Sequence, residues 1–172
     1  TSEPVWEDQI IGGSDPDNIT LLILEALDSQ VEVKNIKWTI IAGTTNLHWQ
    51  ALKEFTNHSQ MDITLIKQTN RIAALMANHD FAIGAAGSMA WERACIGLPS
   101  LTIPIEYNQR ISIEHIRHFA LGETLEVSEI TATTLVIALK QLKHQANDYL
   151  ERNHTMVDGL GVARLMKMLS LN

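Results

Sequence analysis

One cysteine, Cys95, is all the thiol chemistry this chain has, so no internal disulfide can form, and no CxxC pair offers a zinc site. No run approaches the roughly 18 consecutive apolar residues that a membrane span requires. The opening stretch, TSEPVWEDQI, has neither the basic nor the apolar region of a secretory signal. These features together lead us to expect a cytoplasmic protein. Basic residues are outnumbered, 13 Lys and Arg against 20 Asp and Glu, and the net charge of −7 argues against a nucleic-acid backbone as partner. One small phosphorylated ligand held by backbone amides remains compatible with that charge. Neither a GKS/GKT P-loop nor a GxGxxG fingerprint is present. A GxSxG elbow and a Ser/His/Asp arrangement are missing as well. What is present is 45% hydrophobic and 19% charged over 172 residues, enough for one globular domain, 1–172, with its own core.

Strand-like and helix-like segments alternate from Ile10. Ile10–Ile11 runs into GGSDPDN and then a helical Ile19–Gln30. Strands are predicted at Lys37–Gly43, Met61–Lys67, Asp80–Ala85 and Ser100–Ile105, and helices at His48–His58, Arg71–His79, the segment after GAAGS, and Arg110–Leu121. Two or three further helices follow Thr131. This order predicts an α/β fold, a parallel sheet with helices on both faces. The first strand is short for such a sheet, which leads us to expect a chain that begins partway through a larger protein. Loops after parallel strands gather at one edge, where ligands bind. Here they are GGSDPD, AGTTNL, KQTN, GAAGS and PIEYNQ: small, polar and glycine-bearing. Glycine that merely makes a turn would account for any one of them, but less comfortably for all five.

In GGSDPDN, Asp15 as N-cap with Pro16 at the first helical position is an ordinary helix start. Asp15 and Asp17 would repel a phosphate, so this loop suits a sugar or a facing domain better. GAAGSMAWE differs. With Ser88 as cap, no acid lies in the first three helical positions, and the amides of Ser88, Met89 and Ala90 form a site fit for a diphosphate. Glu92 falls one place too late for a capping box. Its carboxylate can therefore accept two hydroxyl hydrogens, as from a ribose diol; a solvent-facing glutamate paired with an arginine is an equal reading. Trp91 reads as packing. Asn108 and Gln109 either orient sugar hydroxyls or cap the next helix. His115 and His118, beside Glu114, lack an evident third metal ligand, and an amphipathic surface helix is the better reading. Cys95 reads as a buried, inert thiol, and VDGLGVARLMKML as a closing helix entered through Gly159 and Gly161.

GGSDPDN, LMANHDFAIGAAGSMAWERACIGLP, EYNQ and DGLGVARL, in this order, resemble the C-terminal half of a UDP-sugar hydrolase family. Its members act on UDP-2,4-diacetamido-2,4,6-trideoxy-β-L-altropyranose in pseudaminic acid biosynthesis, and the family is related to the MurG-like glycosyltransferases. The resemblance covers nearly the whole chain from Ile10. It implies a Rossmann-like domain forming the C-terminal half of a GT-B fold, with UDP-sugar as ligand and no cofactor or metal. By motif match, Gly87, Ser88, Met89 and Ala90 would take the phosphates, Glu92 the ribose, and the backbone around Ile66 the uracil. Asn108 and Gln109 would lie toward the sugar, with Gly12, Gly13, Ser14 and Asp15 lining the cleft. The general base, a histidine, belongs in that family to an N-terminal domain this sequence does not contain, so no catalytic residue is assigned here. Two alternatives stand: a MurG-like UDP-sugar glycosyltransferase, and a non-catalytic module that binds UDP-sugars. A phosphoacceptor domain is disfavoured, because the acids lie beyond the glycines and LTIPIEYNQ has no lysine.

Overall fold

Strands buried on both faces read as continuous apolar runs, and two segments here do so: FAIGA at β4 (Phe81–Ala85) and SLTI at β5 (Ser100–Ile103). In the computed structural model, which describes residues 8–13 as backbone and 15–170 in full, these lie inside a six-stranded parallel sheet. The other strands are β1 (Asp8–Gly13), β2 (Lys37–Ala42), β3 (Asp62–Ile66) and β6 (Glu123–Thr124), and the order across the sheet is β3-β2-β1-β4-β5-β6. The helices are α1 (Ile19–Asp28), α2 (Trp49–His58), α3 (Ile72–Met76), α4 (Ser88–Cys95), α5 (Arg110–His118), α6 (Ala132–His144), α7 (Ala146–Met156) and α8 (Gly161–Leu169). The chain winds outward from β1 to β3, returns to β4 beside β1, and winds the other way to β6. The reversal between β1 and β4 is the topological switch point, where such sheets open a crevice at the carboxyl ends of their strands.

Alternation along the strands divides the core. Ile40, Phe81 and Ile83 face a large cluster with Leu24 and Leu27 of α1 and Leu135 and Leu142 of α6. Their neighbours Ile41 and Ala82 face a smaller one with Met76 and Leu98 on the other side. Trp38 meets Phe81 edge to face at 6.5 Å between ring centroids. Those four leucines are fully buried, and each such burial stabilises by about 1.5–3 kcal/mol.

Several predicted boundaries move. The first strand is not the short Ile10–Ile11: it has 6 residues and takes in Gly12 and Gly13, because β2 and β4 hydrogen-bond it from both sides. Gly12 and Gly13 therefore end a strand and are not the turn that follows. β5 stops at Ile103, ahead of Pro104, which has no N–H to donate. α5 stops at His118 instead of Leu121: Ala120 takes the left-handed φ of 48°, and the amides of Ala120 and Leu121 return to the carbonyls of Arg117 and Ile116. That is a Schellman closure with alanine where glycine is usual. α3 spans Ile72–Met76 where Arg71–His79 was predicted. β6 was not anticipated; only 2 residues long, it carries too little pattern to read. Three helices follow Thr131, as expected.

Candidate functional site

The crevice is framed by the segments leaving β1 and β4, whose last paired residues are Gly12 and Gly84. After β1, Asp15 is buried and its carboxylate is fully engaged: Oδ1 accepts the Ile19 amide and Oδ2 the Thr20 amide, each at 2.7 Å. The sequence reading of Asp15 as N-cap is corrected here. The N-cap is Asn18, in the left-handed region at φ 57°, and Asp15 caps the helix from three positions further back. Pro16 lies outside the helix, and its carbonyl meets His48 Nε2 at 2.8 Å, tying this loop to the one after β2. With the Ile19 and Thr20 amides taken by a carboxylate, the start of α1 is a poor seat for an anion. Ser14 lies outside the described residues.

The start of α4 is the converse. Its N-cap is Gly87, not Ser88, and no acid occupies the first turn. The Ala90 amide turns back to the Gly87 carbonyl at 3.0 Å. Among the described residues, the amides of Ser88 and Met89 have no protein partner. Unpaired N–H groups at the positive end of a helix, next to a switch point, form an anion-binding arrangement. Ser88 is exposed, and Glu92, one turn on, shares its face and is exposed too.

Gln109 holds this turn. Its Oε1 accepts the amides of Ala86 (3.2 Å) and Ile105 (3.0 Å), so one side chain bridges the segments leaving β4 and β5. Its Nε2 faces the open side of Gly87, where an added Cβ would lie 3.9 Å away. Gln109 is also the residue before the first turn of α5, so its cap position agrees with one sequence reading, while its side chain reaches across to a neighbouring strand. Asn108 is exposed. Ile66 ends β3 and shares an apolar cluster with Met89 of α4, through Ile41, Met76 and Ala82. The structure thus brings Ile66 and Met89 into one apolar cluster and sets Gln109 beside Gly87, while Gly12 and Gly13 end the strand that pairs with β4.

Two residues escaped the sequence reading. Arg93 is buried among the apolar stripe of α4, with Ala90 and Ala94. Its Nη2 donates to the Ala85 carbonyl (3.1 Å) and reaches Thr102 Oγ1 (3.4 Å), while Nε has no partner. Burial pushes its pKa down to about 10, still far above neutrality, and the charge of Glu92 works against that shift. Gly84 makes the room: a Cβ there would stand 2.7 Å from Arg93 Nη1. The spacing of Ala90, Arg93 and Ala94 is the signal that places the arginine on the inner face.

The expected burial of Cys95 is corrected as well. It is half-buried and lines a groove of about 540 Å³ between α4 and the α7–α8 connection, together with Trp91, Glu92, Val157 and Arg164. Cys95 falls off the inner stripe of Ala90, Arg93 and Ala94, on the flank that carries Trp91 and Glu92. Arg164 grips both oxygens of Asp158 there and holds its carboxyl down to about 2. Trp91 packs with Ala90, Ile116 and Leu121. His115 and His118 are exposed on α5, and among the described residues no cluster of ligands suits a metal. No described helix is long and apolar enough to cross a membrane.

Comparison with known proteins bears on the class. The family model of the glycosyltransferase family 28 C-terminal domain matches residues 9–169. SpsG of Bacillus subtilis (strain 168), a spore coat polysaccharide biosynthesis protein, is 26% identical over 165 residues, covering 92% of this chain and 48% of that protein. The chain thus spans about half the length of this relative. Among solved structures, MurG of Acinetobacter baumannii superposes with a TM-score of 0.78 at 12% identity, over 99% of this chain and 51% of that one. The spinosyn rhamnosyltransferase SpnG, solved with thymidine diphosphate, gives 0.63 at 10% identity, over 97% and 48%. These structures fix the fold as that of a GT-B glycosyltransferase C-terminal domain. The family match corrects the expectation of a hydrolase: the family that spans residues 9–169 is one of glycosyltransferases, which pass a sugar to an acceptor instead of to water.

Proposed function

Because this chain belongs to the glycosyltransferase family 28 C-terminal domain family, we propose that it holds the nucleotide of a UDP-sugar donor in a glycosyltransferase. One observation carries the reading: the unpaired amides of Ser88 and Met89 open at the switch point, one helical turn from an exposed Glu92. The diphosphate lies on the turn Gly87–Met89, without the Ala90 amide that the motif match included, because the Gly87 carbonyl takes it; Glu92 accepts the two ribose hydroxyls, and the backbone at Ile66 reads the base. Asn108 and the Gln109 amide face the sugar, and Gly12, Gly13 and Asp15 border the cleft.

In such a transfer the bond between the anomeric carbon and the diphosphate oxygen breaks as an acceptor oxygen bonds to that carbon. The acceptor's proton goes to a base, and negative charge collects on the departing diphosphate. Preorganised amides at a helix start stabilise that charge as it develops. Acceptor and base belong, in this proposal, to a second domain facing the crevice. Two facts support it: the relative SpsG is about twice as long, and α8 leaves Val162, Leu165, Met166 and Met168 exposed. The thymidine diphosphate in SpnG supports a nucleoside diphosphate as the ligand class.

A titration of this chain with UDP and ADP, read by tryptophan fluorescence and by calorimetry, tests the reading. Saturable binding of UDP in preference to ADP, lost in Glu92→Ala, is the expected result. Equal binding of both nucleotides by wild type and variant would refute the assignment.

A further inference from the structure

A guanidinium keeps its charge at neutral pH and is rarely buried without a carboxylate beside it. Arg93 is 2% exposed, and among the described residues no carboxylate lies within ion-pair distance. The acid nearest in sequence, Glu92, is exposed on the adjacent face of the helix and makes no ion pair with it. Helical side chains tilt toward the helix N-terminus, and Arg93 does so: from the last turn of α4 it reaches back to the Ala85 carbonyl, the residue at which β4 becomes the turn. Its Nη1 abuts Gly84, the residue paired with Gly12 at the switch point. Its Nε, oriented by these contacts, has no acceptor.

Resting on the nucleotide assignment above, we propose that Arg93 is a positioning residue that sets a fixed positive charge beneath the turn Ala85–Ser88, so that the turn selects a diphosphate. Among the described residues no carboxylate pairs with this charge, which Glu92 favours only from the adjacent face of the helix, and the bound diphosphate supplies the close counter-charge. Thr102 and the Ala85 carbonyl fix the guanidinium plane, while the glycine at 84 gives it space. The open amides of the helix start and this buried cation then act on the same ligand group from two sides. A charge held in a low-dielectric interior interacts more strongly across a given distance than one in water.

The test separates charge from scaffolding by comparing affinities for uridine, UMP and UDP. In wild type the affinity rises with each phosphate. Arg93→Gln, which keeps a donor for the Ala85 carbonyl, and Arg93→Met both remove the charge. In whichever keeps a wild-type melting transition, the UDP-to-uridine affinity ratio falls about tenfold while uridine binding holds, an effect of the size one charge contact commonly has. Arg93→Lys restores most of the ratio. In the wild-type chain the Arg93 Nε–H resonance shifts with UDP and not with uridine, a readout that needs no variant. A ratio unchanged on losing the charge, a parallel loss for all three ligands, or an Nε–H resonance indifferent to the phosphates would each overturn the proposal alone. A wild-type chain that binds no uridine nucleotide would overturn the nucleotide assignment itself, and this inference with it.

Discussion

Removing the Asp15 carboxylate is the sharpest test of how the crevice is built. Both its oxygens accept helix amides at 2.7 Å, and the residue is 6% exposed. In Asp15→Ala the amides of Ile19 and Thr20 lose their acceptor where water reaches them poorly. A lost helix cap costs about 1 kcal/mol, and a bond from an amide to a charged acceptor contributes about 1.5–3 kcal/mol net. These overlap, because the two bonds are the cap, so about 2–3 kcal/mol is the expected loss. For a domain of this length that lowers the melting temperature by about 5–10 °C. Asp15→Asn keeps one acceptor oxygen and turns an NH₂ toward the other amide, so it falls between. Urea unfolding followed by circular dichroism gives the number directly, with an unchanged slope showing that the change is in stability. A loss under about 0.5 kcal/mol, the range of ordinary surface substitutions, would refute the capping role. A carboxylate whose only task was to meet a sugar would leave the transition where it is.

Gln109→Ala removes the acceptor of the Ile105 amide and one of the two acceptors of the Ala86 amide, which keeps the Ile103 carbonyl, so hydrogen exchange at Ile105 quickens and UDP affinity falls by about tenfold, the loss of one well-placed hydrogen-bonding group; unchanged exchange at Ile105 would count against the bridging role. Tyr149 donates its hydroxyl to Glu123, tying α7 to β6, and burial, that bond and the Glu123 charge raise its pKa. The unfolded chain therefore releases this proton first, near its ordinary value of about 10. Stability is fully present below that pH and declines as pH rises beyond it. In Tyr149→Phe that decline above pH 10 is smaller, as a pH series of melting curves will show.

What the sequence revealed and concealed follows from how each feature is encoded. Apolar runs such as FAIGA and SLTI announce buried parallel strands, and a small-residue turn ahead of MAWERAC announces a helix start lacking acids; both are local patterns. The Asp15 cap is not local in that sense, because it depends on a left-handed Asn18 that folds the chain back on itself. The extension of β1 through Gly12 and Gly13 comes from partners far along the chain, not from glycine's own preference. Arg93 was on the inner stripe by spacing, but an arginine reads as surface until the vacancy at Gly84 is seen. Hydrolase and transferase could not be separated by GGSDPDN, AAGSMAWE or EYNQ. In the function proposed above those motifs hold the nucleotide, a task common to both reactions, and the group attacking the anomeric carbon comes from the facing side of the cleft.

The pairing of β1 with β4 has a consequence for how the molecule assembles. Strands β1, β2 and β3 follow one another along the chain, yet β1 meets β4 only after two intervening strand-helix units have been placed. Closing a loop of that size costs entropy before any contact returns it, so non-local parallel pairings form slowly. Because Gly12 and Gly84 meet only in that step, the crevice comes into being late, and a half-folded chain has nowhere to seat a ligand. Refolding monitored by nucleotide capture would then follow the final phase alone, lagging the early gain of helix.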